Sequence, residues 1–167
     1  MIHTAYIGTG SNIGDKFLNC KNGIIALAKR GNTHIKKWSR FYQTEPVDYQ
    51  HQDWFINGVV KIETDLEAFQ LIKELKSIEH DAGRMNDTVR FGPRILDMDI
   101  LLFDNIVMSS CDLIIPHPRM HKRRFVLKPI CDIAPSIVHP VLNKEMRHLL
   151  EALDENGQRI IEYPCDF

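Results

Sequence analysis

Two periodicities alternate along the chain, one typical of strands and one typical of helices. Runs rich in β-branched and aromatic residues predict strands over residues 2–9, 35–42 and 55–63. Apolar residues that recur at helical spacing predict amphipathic helices over residues 17–28 and 69–78. The chain therefore begins in the order strand, helix, strand, strand, helix.

The second predicted helix has sequence signals at both ends. Thr64 and Glu67 have the spacing of a capping box, in which Thr64 caps the helix and Glu67 follows three residues later. Gly83 is predicted to end this helix, because glycine commonly follows the last helical turn. A polar loop over residues 84–92 then leads into the next strand.

A fourth strand is predicted over residues 95–103, and it carries two acids in an otherwise apolar run. Successive side chains of a strand point to opposite faces, so Asp97 and Asp99 are expected to share a face with Leu101 and Phe103. On that face the two carboxylates would lie about 6.5–7 Å apart along the strand.

The completed order predicts an α+β fold, a ferredoxin-like βαββαβ sandwich with one antiparallel sheet and helices on one face. The helix-free face is expected to be open. An extra hairpin, turning at residues 104–105 into residues 106–108, and helices over residues 122–127 and 144–153 would decorate this core. We therefore predict a single domain over residues 1–167.

Composition limits the class of protein. The chain has 44% hydrophobic and 26% charged residues and a net charge of −1, which is ordinary for a globular domain and unlike a nucleic-acid binder. Its four cysteines are widely spaced, and no secretory signal or membrane-length apolar run occurs. We expect a cytoplasmic protein with reduced thiols that binds neither nucleic acid nor membrane.

The two aspartates require a compensating positive charge, because like charges at this distance repel each other. Carboxylate oxygens are preferred ligands of hard cations such as Mg²⁺, and Arg84, Arg90 and Arg94 lie just upstream. Magnesium, acidic ligands and arginines that bind phosphate oxygens are the components of phosphoryl-transfer sites. The strand over residues 95–103 is therefore the candidate active site.

Three other interpretations of this strand are less consistent with the sequence. Two exposed aspartates on an edge strand need no ligand, but the adjoining Phe91-Gly92-Pro93-Arg94 favours a site. An RNA-binding module would need aromatic residues at mid-strand and a basic face, where this chain has two acids. A metal-dependent glycosyltransferase would need a larger domain than this length provides.

Four other segments leave two interpretations open. The glycines of residues 8–14 fit a tight strand-to-helix turn or a phosphate loop, although no Gly-Lys-Ser/Thr follows. Residues 43–53 fit a binding loop or a surface insertion. His117, between two prolines, fits a phosphate contact or a surface histidine. The basic run 122–124 fits a solvated face unless it folds toward the aspartates.

The most specific motif is residues 94–100, Arg-Ile-Leu-Asp-Met-Asp-Ile, behind Gly92-Pro93. Residues 39–46, 55–57, 116–120 and 123–125 supply further blocks. Together these motifs resemble the 6-hydroxymethyl-7,8-dihydropterin pyrophosphokinase family of folate biosynthesis, and the resemblance covers nearly the entire chain. The usual form of the central motif has Thr and Leu where this chain has Ile95 and Met98.

The resemblance implies an ATP-dependent pyrophosphokinase in which the hydroxymethyl oxygen of a dihydropterin attacks the β-phosphorus of ATP in line and AMP leaves. It implies two Mg²⁺ ions held by Asp97 and Asp99, and a monomer whose partners are small molecules. The implied catalytic residues are Arg84, Arg94, Asp97 and Asp99. The implied pterin contacts are Thr44, Pro46, Val47, Phe55, Asn57, Phe91 and Phe125. The implied ATP contacts are Glu79, Arg84, Arg94, Ile100, His117 and Arg123.

The chain also departs from the family pattern. Phe91 stands where many relatives have Trp, which keeps an apolar ring and loses the indole N–H donor. Asn86, Asp112 and Ile114 stand where relatives have other polar or basic contacts, so these three are not assigned to the site.

Overall fold

The computed structural model describes residues 1–83 and 90–165. The strands are β1 (His3–Ser11), β2 (Thr33–Trp38), β3 (Phe41–Thr44), β4 (Phe55–Thr64), β5 (Asp97–Phe103), β6 (Met108–Ser109), β7 (Ile114–Ile115) and β8 (Ile160–Tyr163). The helices are α1 (Lys16–Lys29), α2 (Ala68–Asp81), α3 (Arg124–Ile133) and α4 (Met146–Glu151), with a 3₁₀ turn at Met120–Lys122. Within these residues, no helix has both the length and the apolar character needed to cross a membrane.

A six-stranded antiparallel sheet forms the centre of the fold. Its strands lie in the order β5-β1-β4-β3-β8, and β2 pairs with the other half of β4. With α1 after β1 and α2 after β4, this is the predicted ferredoxin-like α+β arrangement, which is confirmed. The prediction of one strand over residues 35–42 is wrong, because the chain leaves the ladder at Ser39. The Ser39 hydroxyl accepts a hydrogen bond from the Val59 N–H at 2.8 Å, where β2 gives way to β3.

The two faces of the sheet carry different cores. Helices α1 and α2 cover one face, and their Ile24 and Leu71 side chains are fully buried there. Helices α3 and α4 cover part of the other face, where Leu127 packs in one cluster with Tyr6 and Val59. The prediction of a helix-free face is therefore wrong in part, because the apolar side of α3 is buried against this face of the sheet. The rest of that face lines a cavity.

The alternation predicted for the fourth strand holds over residues 97–101, since Leu101 lines the cavity with Asp97 and Asp99, and then breaks. The pairing of β5 with β1 shifts register between residues 6 and 7, which leaves Leu101 as an extra residue. Such a bulge turns the following side chains to the opposite face. Phe103 consequently lies in the helix-side core, whereas the sequence predicted it on the aspartate face.

The start of α2 differs from the predicted capping box by one turn. Glu67 is the capping residue, and Gln70 Oε1 accepts a hydrogen bond from the Glu67 N–H at 2.9 Å. Thr64 still belongs to β4, where its hydroxyl lies 3.0 Å from that of Thr33 on β2. The cross-strand contact therefore replaces the predicted cap.

The second half of the chain also differs from its predicted pattern. The turn at Asp104 forms, but the next strand, β6, pairs with β7 in a separate two-stranded sheet instead of returning along β5. Helix α3 starts later than predicted and includes Pro129, while α4 is shorter than the predicted helix over residues 144–153. Strand β8, which the sequence did not predict, extends the main sheet beside β3. The predicted polar loop falls largely on residues 84–89, outside the described residues.

Candidate active site

A cavity of about 820 Å³, including the part open to solvent, lies on the sheet face that α3 partly covers. The pairing of three neighbouring strands sets the positions of the residues on its floor. Asp97 of β5 pairs with Gly10 of β1, and Gly10 pairs with Asn57 of β4. Paired strands lie about 4.8 Å apart, so the main chains at Asp97 and Asn57 are about 10 Å apart. The cavity therefore has a carboxylate end at β5 and an amide end at β4.

Asp97 and Asp99 both line the carboxylate end, as the alternation predicted. Arg94 Nη1 donates to Asp97 Oδ1 at 2.9 Å, and Lys76 Nζ lies 3.6 Å from Asp99 Oδ1. Burial and, to a smaller extent, the nearby charge of Asp97 raise the pKa of Asp99 to about 6, while Lys76 opposes the rise. The pair therefore carries an incompletely balanced negative charge, and an added cation would favour ionised Asp99.

The donor set at this end fits Mg²⁺. Among the described residues no group of three or more His, Cys, Asp or Glu side chains could hold a metal. Two carboxylates remain, at Asp97 and Asp99, with side chains 28% and 37% exposed. Mg²⁺ is commonly held by one or two carboxylates and completed by water and substrate phosphates. The chain thus offers an open site that a triphosphate would complete.

Positive side chains surround the carboxylates. Arg94 and Arg123 both line the cavity, and their side chains are only 17% and 15% exposed. Arg119 and Arg123 each lie 3.8 Å from the Asp48 carboxylate, which comes from the loop between β3 and β4. The basic run 122–124 therefore folds toward the aspartates at Arg123. These guanidinium groups could bind phosphate oxygens, for which their planar donor arrays are suited.

His117 lines the cavity beside these arginines. Burial and the charges of Arg123 and Arg119 lower its pKa to about 4, so the ring is neutral at pH 7. Its Nδ1 lies 3.2 Å from the Arg119 N–H and accepts its hydrogen bond, which leaves the ring proton on Nε2. His117 is therefore placed as a neutral hydrogen-bond donor, and of its two interpretations the surface histidine is wrong.

The amide end of the cavity is aromatic and contains all seven residues proposed to contact a pterin. Asn57 Nδ2 donates to Thr44 Oγ1 at 2.7 Å, which orients the amide. Aromatic rings from three separate segments line the same cavity. The lining residues are Thr44, Pro46, Val47, Phe55, Asn57, Phe91 and Phe125.

Phe91 is held in an unusual backbone conformation. Its φ is 59°, in the left-handed region that bulky residues rarely adopt. The guanidinium carbons of Arg90 and Arg119 lie 4.9 and 4.6 Å from the centre of its ring, and Gln52 Nε2 donates to its carbonyl at 2.8 Å. These contacts offset the backbone cost and keep the ring at the cavity.

Gly10 is required by the position of Asn57. A Cβ atom at residue 10 would lie 2.4 Å from Asn57 Oδ1. We predict that Gly10→Ala displaces the Asn57 amide and weakens binding of a planar ligand at the amide end by roughly tenfold or more, the equivalent of about one or two lost hydrogen bonds. Isothermal titration with a pterin would measure this loss. Gly31→Ala has room for the added Cβ but strains a backbone with a φ of 84°, so it controls for a loss of stability remote from the cavity; equal affinities of Gly10→Ala and the unsubstituted protein would contradict the prediction.

Two residues of the predicted site are not part of the cavity lining. Glu79 does not line the cavity; its side chain is 1% exposed, and its Oε1 accepts from the Met98 N–H at 2.6 Å and from Lys76 Nζ at 3.0 Å. Ile100 is 2% exposed, and its side chain lies in the helix-side core. Arg84 lies outside the described residues.

Sequence reasoning missed several residues that shape the cavity. Asn12 accepts from the Arg94 N–H at 2.8 Å and donates to Gln52 Oε1 at 2.9 Å, so the glycine-rich turn acts as a structural support for two sides of the site. Asp48, Gln52 and Gln158 line the cavity directly. No spacing or motif identifies them, because they reach the site through loops distant in sequence. The predicted binding loop over residues 43–53 does contribute to the lining, and the surface-insertion interpretation is wrong.

Comparisons with known proteins assign the family. Residues 6–135 match the model of the 7,8-dihydro-6-hydroxymethylpterin-pyrophosphokinase family. A 2-amino-4-hydroxy-6-hydroxymethyldihydropteridine pyrophosphokinase of Bacillus subtilis is 37% identical over 160 residues, which cover 96% of this chain and 91% of the relative. The corresponding protein of Haemophilus influenzae is 40% identical over 137 residues, covering 82% of this chain and 85% of the relative.

Longer proteins also match. A folic acid synthesis protein of Dictyostelium discoideum is 44% identical over 138 residues, covering 83% of this chain and 20% of the relative, so the chain spans about a fifth of that protein. A crystal structure of HPPK-DHPS from Plasmodium falciparum superposes with a TM-score of 0.72 at 16% identity, covering 90% of this chain and 45% of the other, which shows a shared fold. By the family match and the bacterial relatives, the chain belongs to the 7,8-dihydro-6-hydroxymethylpterin-pyrophosphokinase family, the ATP-dependent pyrophosphokinases of folate synthesis.

Proposed function

We propose that this chain transfers pyrophosphate from ATP to the hydroxymethyl group of 6-hydroxymethyl-7,8-dihydropterin and releases AMP. The observation that carries the proposal is one cavity with a carboxylate end flanked by arginines and an aromatic, amide-bearing end. The first end suits a metal–triphosphate and the second a flat heterocycle. Their spacing of about 10 Å, two strand separations, matches a bicyclic ring whose hydroxymethyl group reaches toward the phosphates.

Asp97 and Asp99 would hold two Mg²⁺ ions, which would supply charge neutralisation for the triphosphate. Arg94 contacts Asp97. From this position its guanidinium group would stabilise the phosphate whose charge changes during transfer. We assign Arg84 to the same catalytic group by resemblance. Positioning and charge stabilisation account for most of the catalysis in phosphoryl transfer, and no covalent intermediate is needed.

The nucleotide would lie along the arginine side of the cavity. Arg123 would bind phosphate oxygens. Its pairing with the Asp48 carboxylate holds the guanidinium group at the cavity. His117 would donate from Nε2 as a neutral group at physiological pH. Glu79 is proposed to support the strand that carries the aspartates, and Ile100 to contact the nucleotide through its main chain.

The pterin would lie between the rings of Phe91 and Phe125, with Phe55 lining the same end. Asn57 would read the polar edge of the ring together with the main chain from Thr44 to Val47. In-line attack requires the hydroxymethyl oxygen to face the β-phosphorus opposite the AMP leaving group. Holding both substrates at opposite ends of one cavity would provide that alignment.

Every residue invoked comes from one chain, so we propose that a single domain over residues 1–167 suffices and that a monomer is active. The partners are then two small molecules, ATP and the dihydropterin. The reaction as proposed needs no association with a second enzyme, although a relative in Arabidopsis thaliana is named a folate synthesis bifunctional protein.

The proposal is tested by measuring AMP production from ATP and 6-hydroxymethyl-7,8-dihydropterin. AMP should form only when the pterin and Mg²⁺ are both present, and EDTA should stop it. AMP formation without pterin would indicate a nucleotide hydrolase instead. Folded protein that binds ATP but forms no AMP with the pterin would contradict the proposed acceptor.

A further inference from the structure

The C-terminal segment forms part of the cavity wall, although it follows the residues that match the family model. Strand β8 pairs with β3 in the register Thr44 to Ile160. Two residues before that pair, Gln158 lines the cavity and is only 6% exposed. The chain end thus reaches the loop that leaves β3.

Gln158 and Arg159 hold the main chain of Glu45 from both sides. The Glu45 N–H donates to the Arg159 carbonyl at 3.0 Å, which continues the ladder between β3 and β8. Gln158 Nε2 donates to the Glu45 carbonyl at 2.6 Å. With its N–H and C=O both bonded, and with a proline next in the chain, the peptide that leads into Pro46 and Val47 has a fixed orientation.

A second set of contacts reinforces this position. Arg159 Nη2 lies 3.4 Å from Glu45 Oε1, and its guanidinium carbon is 4.8 Å from the ring centre of Trp54. Both ends of the loop over residues 45–54 therefore touch the same short C-terminal segment. The loop cannot shift without breaking contacts to Arg159 or Gln158.

The Gln158 amide is costly for the fold alone. Its Oε1 is buried without a hydrogen-bond partner among the described residues, whereas its Nε2 has one. A buried polar atom that lacks a partner costs stability, and a leucine of similar size would not carry that cost. The amide is therefore explained better by the bond that it makes to the loop than by packing.

We propose that Gln158 is a positioning residue for the pterin, acting through the Glu45 carbonyl to hold Thr44, Pro46 and Val47 against the ring. This inference rests on the proposed function. It places the specificity of the amide end partly in the C-terminal segment. Removing the Nε2 donor should loosen the start of the loop and weaken pterin binding, with a much smaller effect on nucleotide binding, because Asp48, which contacts Arg119 and Arg123, lies three residues beyond Glu45.

The test compares Gln158→Leu and Gln158→Glu with the unsubstituted protein. The stable oxidised ligand 6-hydroxymethylpterin and a non-hydrolysable ATP analogue with Mg²⁺ are titrated separately by calorimetry, and thermal unfolding is recorded. Gln158→Leu should raise the pterin Kd roughly tenfold, the equivalent of about one hydrogen bond, with the nucleotide Kd changed less than twofold. Gln158→Glu should weaken pterin binding more, because two acceptors would then face each other.

The outcomes separate the inference from the function on which it rests. An unchanged pterin Kd in both variants would overturn the role of Gln158, and so would an equal loss of both ligands together with a lower Tm. If Gln158→Leu does not fold, the Gln158→Glu titration and its ratio of pterin to nucleotide affinity decide the question. Failure of the unsubstituted protein to bind the pterin would instead overturn the proposed function.

Discussion

Asp97→Ala should lower the turnover of the pyrophosphoryl transfer by about three orders of magnitude or more. Asp97 lies at the carboxylate end of the cavity and, with Asp99, supplies the acidic ligands available there among the described residues. A metal ion that neutralises a phosphoryl transition state contributes several kcal/mol, and about 4 kcal/mol corresponds to a thousandfold change in rate. The measurement is AMP formation at saturating ATP and pterin over a wide range of Mg²⁺ concentrations.

Asp65→Ala provides a matched control. Asp65 is an exposed aspartate in the turn after β4, at the end of that strand remote from Asn57. This variant should retain the rate of the unsubstituted protein. If Asp97→Ala regained the rate of the unsubstituted protein at high Mg²⁺ concentration, Asp97 would be a residue that only adjusts metal affinity.

Arg94→Ala should lower kcat by about 10²–10³-fold, the range expected when one charge-stabilising donor of a transition state is removed. Its guanidinium group contacts Asp97 at 2.9 Å. Asn12 fixes its main chain through two hydrogen bonds, because Asn12 Oδ1 accepts from the Arg94 N–H and the Asn12 N–H donates to the Arg94 carbonyl. The side chain is therefore positioned before substrates arrive. KM for ATP should change much less than kcat, because the arginine is proposed to act on charge that develops during transfer.

Two additional measurements sharpen this prediction. Arg94→Lys keeps the charge and loses the planar pair of donors, so it should recover only part of the lost rate. Mn²⁺ binding in the presence of an ATP analogue should persist in Arg94→Ala, since both aspartates remain. An unaltered kcat would remove Arg94 from the catalytic group, and loss of Mn²⁺ binding would assign it to the metal site instead.

The sequence predicted the fold and the carboxylate end well, because both depend on local patterns. The alternation over residues 97–100 correctly placed Asp97 and Asp99 on one face, and hydrophobic periodicity located α1 and α2. The position of Phe103 was missed, since the bulge beside Leu101 depends on how β5 pairs with β1. No property of the β5 segment by itself encodes that register shift.

The amide end was predictable only in part. Thr44, Asn57 and the aromatic residues were found through the family resemblance, and they do line the cavity. Gln158 was missed because β8 is only four residues long, and its pairing with β3 joins residues more than a hundred positions apart. Long-range contacts of this kind leave no periodicity in the chain. The same limit applies to the support that Asn12 gives to Arg94.

The bond between Glu79 and the main chain of Met98 has a consequence for association between molecules. Strand β5 stands at the end of the sheet order, and Met98 lies between its two aspartates. Glu79 Oε1 takes up the Met98 N–H, and Lys76 Nζ lies 3.4 Å from the Met98 carbonyl. An exposed sheet edge invites pairing with another chain, and charged side chains placed along it discourage this. The strand that bears the proposed metal ligands is thereby guarded against edge-to-edge aggregation, and its acidic face stays accessible to solvent and ligand.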